Sequence, residues 1–435
     1  LDPLWGEIEA EAREHIVRLA WHPALVHWNG SNENVEGYYH WGWQEHIPEG
    51  TSWGLGYYTE LLPALLAELD PTRSYTPTSP YSRPLPADPR NPDHGTVHNW
   101  VAWASEEDND YARYLDTIPR FSAEFGYQAP ANHATIARAI SERPLDEDSE
   151  TMLSHQKAVG GQDKLRRGMA PHLPPVEGFD DFHFATQLNQ ARALLAGIGH
   201  YRSHWPVCGG TIVWQLNDCW PVTSWAAVDG DRRRKLLWYA LRDLYAPVLL
   251  SVQPRPEGPA LSLGNDTDEP LSGTLRLRRQ RHDGQVLAEA TLEAQVPPRS
   301  AATLPVPAEL AAAEDPAQEV LVVELLGTGT RTVHPFAEDR DSALAGGALT
   351  ARAERSEHGV RIRVTASSTV RDLCVLADKV DPAATSDRQL VTLLAGESAT
   401  IEVRTAAEVD PAAFLTDDVL ISANDLVARA RARTA

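Results

Sequence analysis

Two glutamates carry the strongest chemical signal in the chain. Glu33 lies in Trp28-Asn29-Gly30-Ser31-Asn32-Glu33-Asn34, directly after the apolar run Ala24 to Trp28, which reads as a buried strand feeding a polar loop. Glu124 lies in Arg120-Phe121-Ser122-Ala123-Glu124-Phe125-Gly126-Tyr127, inside or at the end of a second strand candidate. An acidic side chain on an apolar strand is costly unless it is paired, hydrogen-bonded or solvated. A surface position at a strand end is the commoner explanation for any single Glu. These two share a setting: each is flanked by aromatics and amides, and each ends a strand on the same expected face. Two carboxyls so placed are the minimum set for cleaving a glycosidic bond, one as nucleophile and one as acid/base. Aromatic rings suit the apolar face of a sugar, and 13 Trp are available, although core packing accounts for most of them.

Other motifs are weaker. Gly50-Thr51-Ser52-Trp53-Gly54 matches the G-x-S-x-G pattern of a nucleophile elbow, but that motif needs a strand immediately before it, and Gln44 to Glu49 is not one. Gly54-x-Gly56 lacks both a third glycine and a preceding strand. No H-E-x-x-H or paired Cys-x-x-Cys occurs, and the 16 His are spread without metal-ligand spacing. Arg232-Arg233-Arg234-Lys235 reads as a solvated turn before a helix at Leu236.

The elements that must hold the two glutamates follow from periodicity. Asp2 and Pro3 suit an N-cap and first helical position, and Leu4, Ile8, Ala12, Ile16 and Ala20 then form an apolar stripe. Tyr58, Leu61, Leu62, Leu65, Leu66 and Leu69 predict a second helix closed by Asp70-Pro71. Arg73–Thr78, Gly95–Trp100, Arg120–Phe125 and Thr211–Leu216 are further strand candidates, and Leu188, Ala191, Leu195 and Ile198 mark a helix before the last of them. Strands alternating with helices predict a parallel α/β arrangement, with polar and aromatic residues at the catalytic end of the strands. The strand candidates number only five, so either the sheet is small and open or a barrel lacks its first strands.

Composition divides the chain. All 13 Trp, all 12 Tyr and five of the seven Phe precede residue 246, so the chemistry is expected there. Beyond Ala246, short runs such as Val248–Val252, Gly273–Leu277, Glu319–Leu325 and Val360–Val364 alternate with turn residues, the texture of β-sandwiches of immunoglobulin size. Two such domains fit, with a break near Pro335 to Ser342, and the Ala-rich stretches at 310–318 and 426–435 read as linker and tail. A net charge of −22, from 39 basic and 61 acidic residues, argues against nucleic acid or an anionic membrane as partner. No run reaches the ~18 apolar residues of a membrane helix. Three Cys are too few and scattered for a disulfide framework, which fits a reducing compartment or simple indifference to redox state, and a cytoplasmic location is expected. A glycan on the Asn29 sequon would block the expected site, so a glycosylating route is not expected.

The residues around the glutamates resemble glycoside hydrolase family 2. Asn32-Glu33 resembles the Asn-Glu acid/base pair of the clan to which that family's barrel belongs, and Ser122-Ala123-Glu124-Phe125-Gly126 resembles its nucleophile segment. Within the family, Trp28 to Asn34 is similar to the strand 4 end of β-mannosidases. Gly210-Thr211-Ile212-Val213-Trp214-Gln215-Leu216-Asn217-Asp218-Cys219-Trp220-Pro221 is similar to their strand 8. The resemblance covers residues 1–250 and reaches the later domains by architecture alone.

The resemblance implies a partial TIM (β/α)8 barrel, strands 4 to 8, over residues 1–245. Two all-β immunoglobulin-like sandwich domains would follow at 246–336 and 337–435. It implies a retaining exo-glycosidase acting on terminal β-D-mannosyl residues, with Glu124 as nucleophile and Glu33 as acid/base, their carboxyls about 5–5.5 Å apart. Asn32 is then expected at the sugar 2-hydroxyl, with His98, Trp100, Trp214 and Trp220 as further substrate-binding candidates; a structural role is the alternative for His98, and core packing for Trp214. No metal or organic cofactor is implied. The chain is expected to be the C-terminal portion of a longer enzyme, inactive or unstable alone because open sheet edges and core-facing surface would be exposed, with its missing N-terminal part and a β-mannoside or manno-oligosaccharide as partners. The alternatives are another family 2 exo-glycosidase, acting on galactosides, glucuronides or glucosaminides, or a sugar-binding β-sandwich protein with a degenerate barrel.

Overall fold

The computed structural model describes residues 4–82, 88 and 90–434. The expected cap at Asp2 and Pro3 lies outside them. The chain is mixed helix and strand with many sheets, and it divides into two compact units, each described by itself. The first comprises Leu1–Asn99, Thr117–Phe125 and Val207–Ile212; the second comprises Trp100–Asp116, Gly126–Pro206 and Val213–Ala435.

In the first unit the apolar stripe becomes helix α1 (Trp5–Leu19), whose Ile8, Ala12 and Ile16 pack with Tyr57, Leu61, Leu65 and Leu66. The latter come from the second expected helix, a π turn over Tyr57–Leu61 running into a helix over Leu62–Leu69 and ending at Asp70. Strand β1 (His27–Asn29) pairs in parallel with β2 (Ser74–Thr76), Trp28 opposite Tyr75. The expected strand began earlier, at Ala24. Its first residues leave the ladder because the Arg73 guanidinium takes the carbonyls of His22 and Leu25, and Val26 is left 77% exposed. Strands β3 (Val97–His98) and β4 (Ser122–Phe125) are also parallel, and β5 (Thr211–Val213) follows β4 in the sheet order. The five strand candidates are therefore all strands, each shorter than its apolar run.

Beyond β1 the backbone still ladders: Gly30 N–H donates to Thr76 O, Ser79 N–H to Ser31 O and Glu33 N–H to Ser79 O (2.9, 2.8 and 2.7 Å). Gly30 is required there, since a Cβ would sit 2.3 Å from the Tyr75 hydroxyl and 2.7 Å from the Pro77 carbonyl oxygen.

In the second unit the helix expected around Leu188 runs from Phe179 to Arg202 and is buried over nearly its whole length. Several of its buried polar side chains donate to backbone carbonyls, as Gln190 does to Tyr127 O at 2.7 Å and Asn189 to Gly168 O at 3.2 Å. The later runs form antiparallel sheets. One three-stranded sheet (Val248–Gln253, Ala260–Asn265, Ser300–Pro305) and one four-stranded sheet (Leu271–Arg281, Val286–Val296, Glu319–Leu325, Thr330–Pro335) share a core of Leu250, Leu261, Leu263, Leu275, Leu277, Leu321 and Val323. A second core, centred on Ile362, Leu373, Ile401 and Phe414, belongs to strands between Leu349 and Ile421. Asn265, which heads a second sequon in Asn265-Asp266-Thr267, is fully buried with its amide bonded to Glu269 O and Pro297 O, so it has no room for a glycan.

Three expectations are corrected here. The stretch at 426–435 is no tail: Ala423–Thr434 is a helix that buries Leu426 and Val427. The stretch at 310–318 overlaps the short helix Ala308–Ala311, whose Leu310 is fully buried. Lys235 is not solvated either; its buried ammonium donates to Ala129 O at 2.8 Å, and burial lowers its pKa to about 7. In each case the run's polar or small composition concealed one side that packs.

A pH dependence follows from His183, buried on the long helix with Nε2 bonded to Ala131 O at 2.8 Å. Burial lowers its pKa from 6.5 to about 3. The unfolded chain takes up a proton that the folded one refuses, so stability falls as pH drops from about 6.5 toward 3, by up to about 1.4 kcal/mol per pH unit from this group. Denaturant titrations of the wild type and His183→Gln across that window should give a visibly flatter pH slope for the variant. Parallel slopes would show that His183 does not set this dependence.

Candidate active site

The first unit brings three of the expected residues into one cluster. Glu33 stands just before helix α2 (Asn34–His40), in a left-handed backbone conformation (φ 60°, ψ 0°). This conformation is uncommon for a non-glycine residue and recurs where function constrains the backbone. The ladder bond from Glu33 N–H to Ser79 O holds the residue there, and Gly37 N–H takes up the Glu33 carbonyl at 2.7 Å. Glu124 sits on β4, opposite His98 on β3. The His98 Nδ1 lies 2.7 Å from Glu33 Oε1 and 3.5 Å from Glu124 Oε2, and its side chain is only 2% exposed. One carboxylate oxygen from each glutamate and one His98 nitrogen all fall within 4.8 Å of one another.

The far side of the imidazole is held as well. His98 Nε2 is 2.8 Å from Ser79 Oγ, which is in turn 3.3 Å from Thr96 Oγ1. When Nδ1–H donates to a Glu33 carboxylate, the neutral ring presents Nε2 as an acceptor for the Ser79 hydroxyl. With Nδ1 facing both glutamates and Nε2 facing Ser79, partners on both edges fix the ring between the two carboxyl groups. The same three side chains form a donor set that could hold a divalent cation, so any such ion would compete for the two carboxyls.

Two residues of this site escaped the sequence reading. Ser79 gives no local signal, because its role depends on the bridge that pairs it with Asn32. Glu36 could have been found, since it lies one helical turn beyond Glu33. It is buried, and its pKa is raised first by burial and then by the charge of Glu33, with His98 opposing. A carboxyl held toward its neutral form adds less repulsion beside Glu33 than a second anion would.

The other candidates stand differently. Asn32 is exposed and takes part in the bridge to Ser79. Trp28 faces the helices rather than the carboxyl cluster, its indole N–H donating to Asp70 at 2.8 Å. Trp100, Trp214 and Trp220 belong to the second unit. There Trp100 meets Trp225 edge-on at 5.8 Å, Trp220 packs against His155 at 5.3 Å, and Trp214 and Trp220 are partly exposed. Ser52 of the G-x-S-x-G match only accepts the Gly54 N–H in an irregular segment with no strand before it.

Comparison with known proteins gives these features a context. No family model matches the chain. Over 269 residues, 58% of the chain, it is 30% identical to β-mannosidase B of Aspergillus niger, and the match covers 31% of that enzyme. The corresponding enzyme of Thermothelomyces thermophilus is 30% identical over 278 residues, again 58% of the chain and 32% of the relative. The crystal structure of a β-D-mannosidase from Dictyoglomus thermophilum superposes with a TM-score of 0.82 at 26% identity, covering 94% of the chain and 49% of that structure. An exo-chitosanase from Amycolatopsis orientalis shares the fold at 16% identity and a TM-score of 0.63, over 93% of the chain and 52% of its own. The chain is thus β-mannosidase-like in sequence over more than half its length and in fold over nearly all of it, and it spans about half of the solved relative. Among the described residues no helix is long and apolar enough to cross a membrane.

Proposed function

We propose that this β-mannosidase-like chain supplies the catalytic carboxyls of a retaining exo-β-mannosidase of glycoside hydrolase family 2. The observation that carries the reading is the closeness of Glu33 and Glu124, with carboxylate oxygens within 4.8 Å and His98 reaching both. Inverting enzymes need about 6.5–9.5 Å between carboxyls to admit a water, whereas retaining ones use about 5–5.5 Å. In this reading Glu124 attacks the anomeric carbon while Glu33 protonates the departing oxygen. Glu33 then takes a proton from water, which displaces Glu124. Asn32 lies next to the acid/base and is assigned to the 2-hydroxyl. Trp100, Trp214 and Trp220 are assigned to substrate contacts.

The same reading takes β1 to β5 as strands 4 to 8 of a TIM barrel within residues 1–245, with immunoglobulin-like domains at 246–336 and 337–435. The two separate hydrophobic cores beyond residue 246 support that division. The remaining barrel strands would come from a preceding part of the same enzyme. In support, Trp21, at the end of α1, is 72% exposed, and β1 pairs on one side only among the described strands.

A panel of aryl glycosides tests the proposal in the full-length protein. The β-mannoside should be hydrolysed far faster than the β-galactoside, β-glucuronide or β-glucosaminide, and β-mannose should appear first by NMR. A dominant rate on another glycoside would reassign the substrate, and α-mannose as first product would reject retention.

A further inference from the structure

We propose that Trp41 and Trp43 form a stacking platform for the leaving-group sugar, on the far side of Glu33 from the mannosyl unit; this rests on the acid/base assignment above. Trp41 and Trp43 are separated only by Gly42, which adopts φ 75° and begins the 3-10 turn Trp43–His46. Their ring centroids are 5.5 Å apart at 79°, so the face of one indole and the edge of the other make a corner. Each ring remains broadly open to solvent, Trp41 at 48% and Trp43 at 43% exposure. Large apolar surfaces left in water in this way mark sites that are covered by a ligand or partner.

The corner is anchored to the catalytic helix. Trp43 packs on Gly37, where a Cβ would stand 2.7 Å from the indole ring, and the Gly37 N–H binds the Glu33 carbonyl. The neighbouring rings are used in packing, Tyr38 stacked on Trp53 at 4.3 Å and Tyr39 edge-on to Trp53 at 6.1 Å. Tyr39 is exposed as well, at 36%, but Trp41 and Trp43 are the more open rings of this cluster and meet each other at a corner.

The chemistry of retention says what would cover them. The nucleophile attacks one face of the anomeric carbon, and the acid/base carboxyl meets the glycosidic oxygen leaving from the other. Trp43 rests on Gly37, one helical turn beyond the acid/base residue, so the corner it makes with Trp41 borders the leaving group rather than the mannosyl ring. A pyranose presents one apolar C–H face, which an indole accommodates while the hydroxyls stay in water. The occupant inferred is a pyranosyl leaving group, as in a manno-oligosaccharide.

The test compares a β-mannosyl disaccharide with β-mannosyl fluoride, whose leaving group has no ring, using the full-length protein. Trp41→Ala should lower kcat/KM for the disaccharide about five- to tenfold and leave the fluoride within about twofold. Trp41→Phe should restore most of the loss. Trp43→Ala should act in the same direction, but its contact with Gly37 couples it to α2, so Trp41 decides. Equal losses on both substrates, or none on the disaccharide, would overturn the platform and leave the hydrolase reading standing. A wild type that cleaves neither substrate would overturn both.

Discussion

Glu124→Gln in the full-length enzyme is expected to abolish turnover of an aryl β-mannoside, by on the order of 10⁵–10⁶-fold. The substitution is close to isosteric, and Glu124 is tied into the sheet through backbone that the amide retains: its carbonyl accepts the Asn99 N–H at 2.7 Å and its residue pairs with His98. The fold should therefore survive, as circular dichroism and an unchanged melting temperature would show. On the proposed mechanism, what disappears is the anionic oxygen that would form the bond to the anomeric carbon, and an amide is far too weak a nucleophile to replace it. The size of the loss separates the roles available to a carboxyl in this cluster. A residue that only oriented His98, whose Nδ1 lies 3.5 Å from Glu124 Oε2, would cost tens-fold when converted to an amide that can still make a hydrogen bond. Retention of more than about one per cent of wild-type kcat on an activated substrate would thus remove Glu124 from the nucleophile's role. A glycosyl-enzyme trapped with a 2-fluoro mannoside and located by peptide mapping would show its position directly.

How much of this site could be read from the chain follows from which contacts are local. β4 was legible because Ser122 to Phe125 is a short apolar run interrupted by one acid, an arrangement that is expensive without a reason. Glu33 was legible in the same way, as the acid beyond an apolar run. The lengths of the strands were not. Whether Leu25 and Val26 continue β1 is decided by Arg73, a residue 48 positions away that captures the Leu25 carbonyl. The position of His98 between the carboxyls was also hidden, since it stands 65 residues from Glu33 and meets it only through the order and register of four short strands. Side chains whose role is set by register, such as Ser79, leave no trace in a single sequence. The helix at Ala423–Thr434 was missed for a different reason: its Ala and Arg composition resembles a solvated tail, and only the packing of Leu426 and Val427 distinguishes it.

Glu33→Gln should discriminate between substrates where Glu124→Gln does not. If Glu33 donates a proton to the departing oxygen, its loss matters in proportion to how badly that oxygen needs one. For a dinitrophenyl mannoside, which leaves as a stable anion, kcat/KM should fall little. For an alkyl mannoside or a disaccharide it should fall about 10²–10⁴-fold, the usual range for a positioned general acid. On the activated substrate kcat should still drop, because the same carboxyl must then deprotonate the water that releases the sugar from Glu124. A glycosyl-enzyme should therefore accumulate and give a burst. Glu33→Ala exposes that second step to an added nucleophile. Azide needs no base, so it can attack the anomeric carbon with Glu124 departing as carboxylate, and the rate should rise with azide concentration. The product should be the β-mannosyl azide, since two displacements leave the configuration unchanged. An α-azide would instead point to direct attack and to Glu33, not Glu124, as the nucleophile. Uniform losses across all leaving groups, with no burst and no azide effect, would leave Glu33 a structural partner of His98. Its left-handed backbone conformation would then need another explanation.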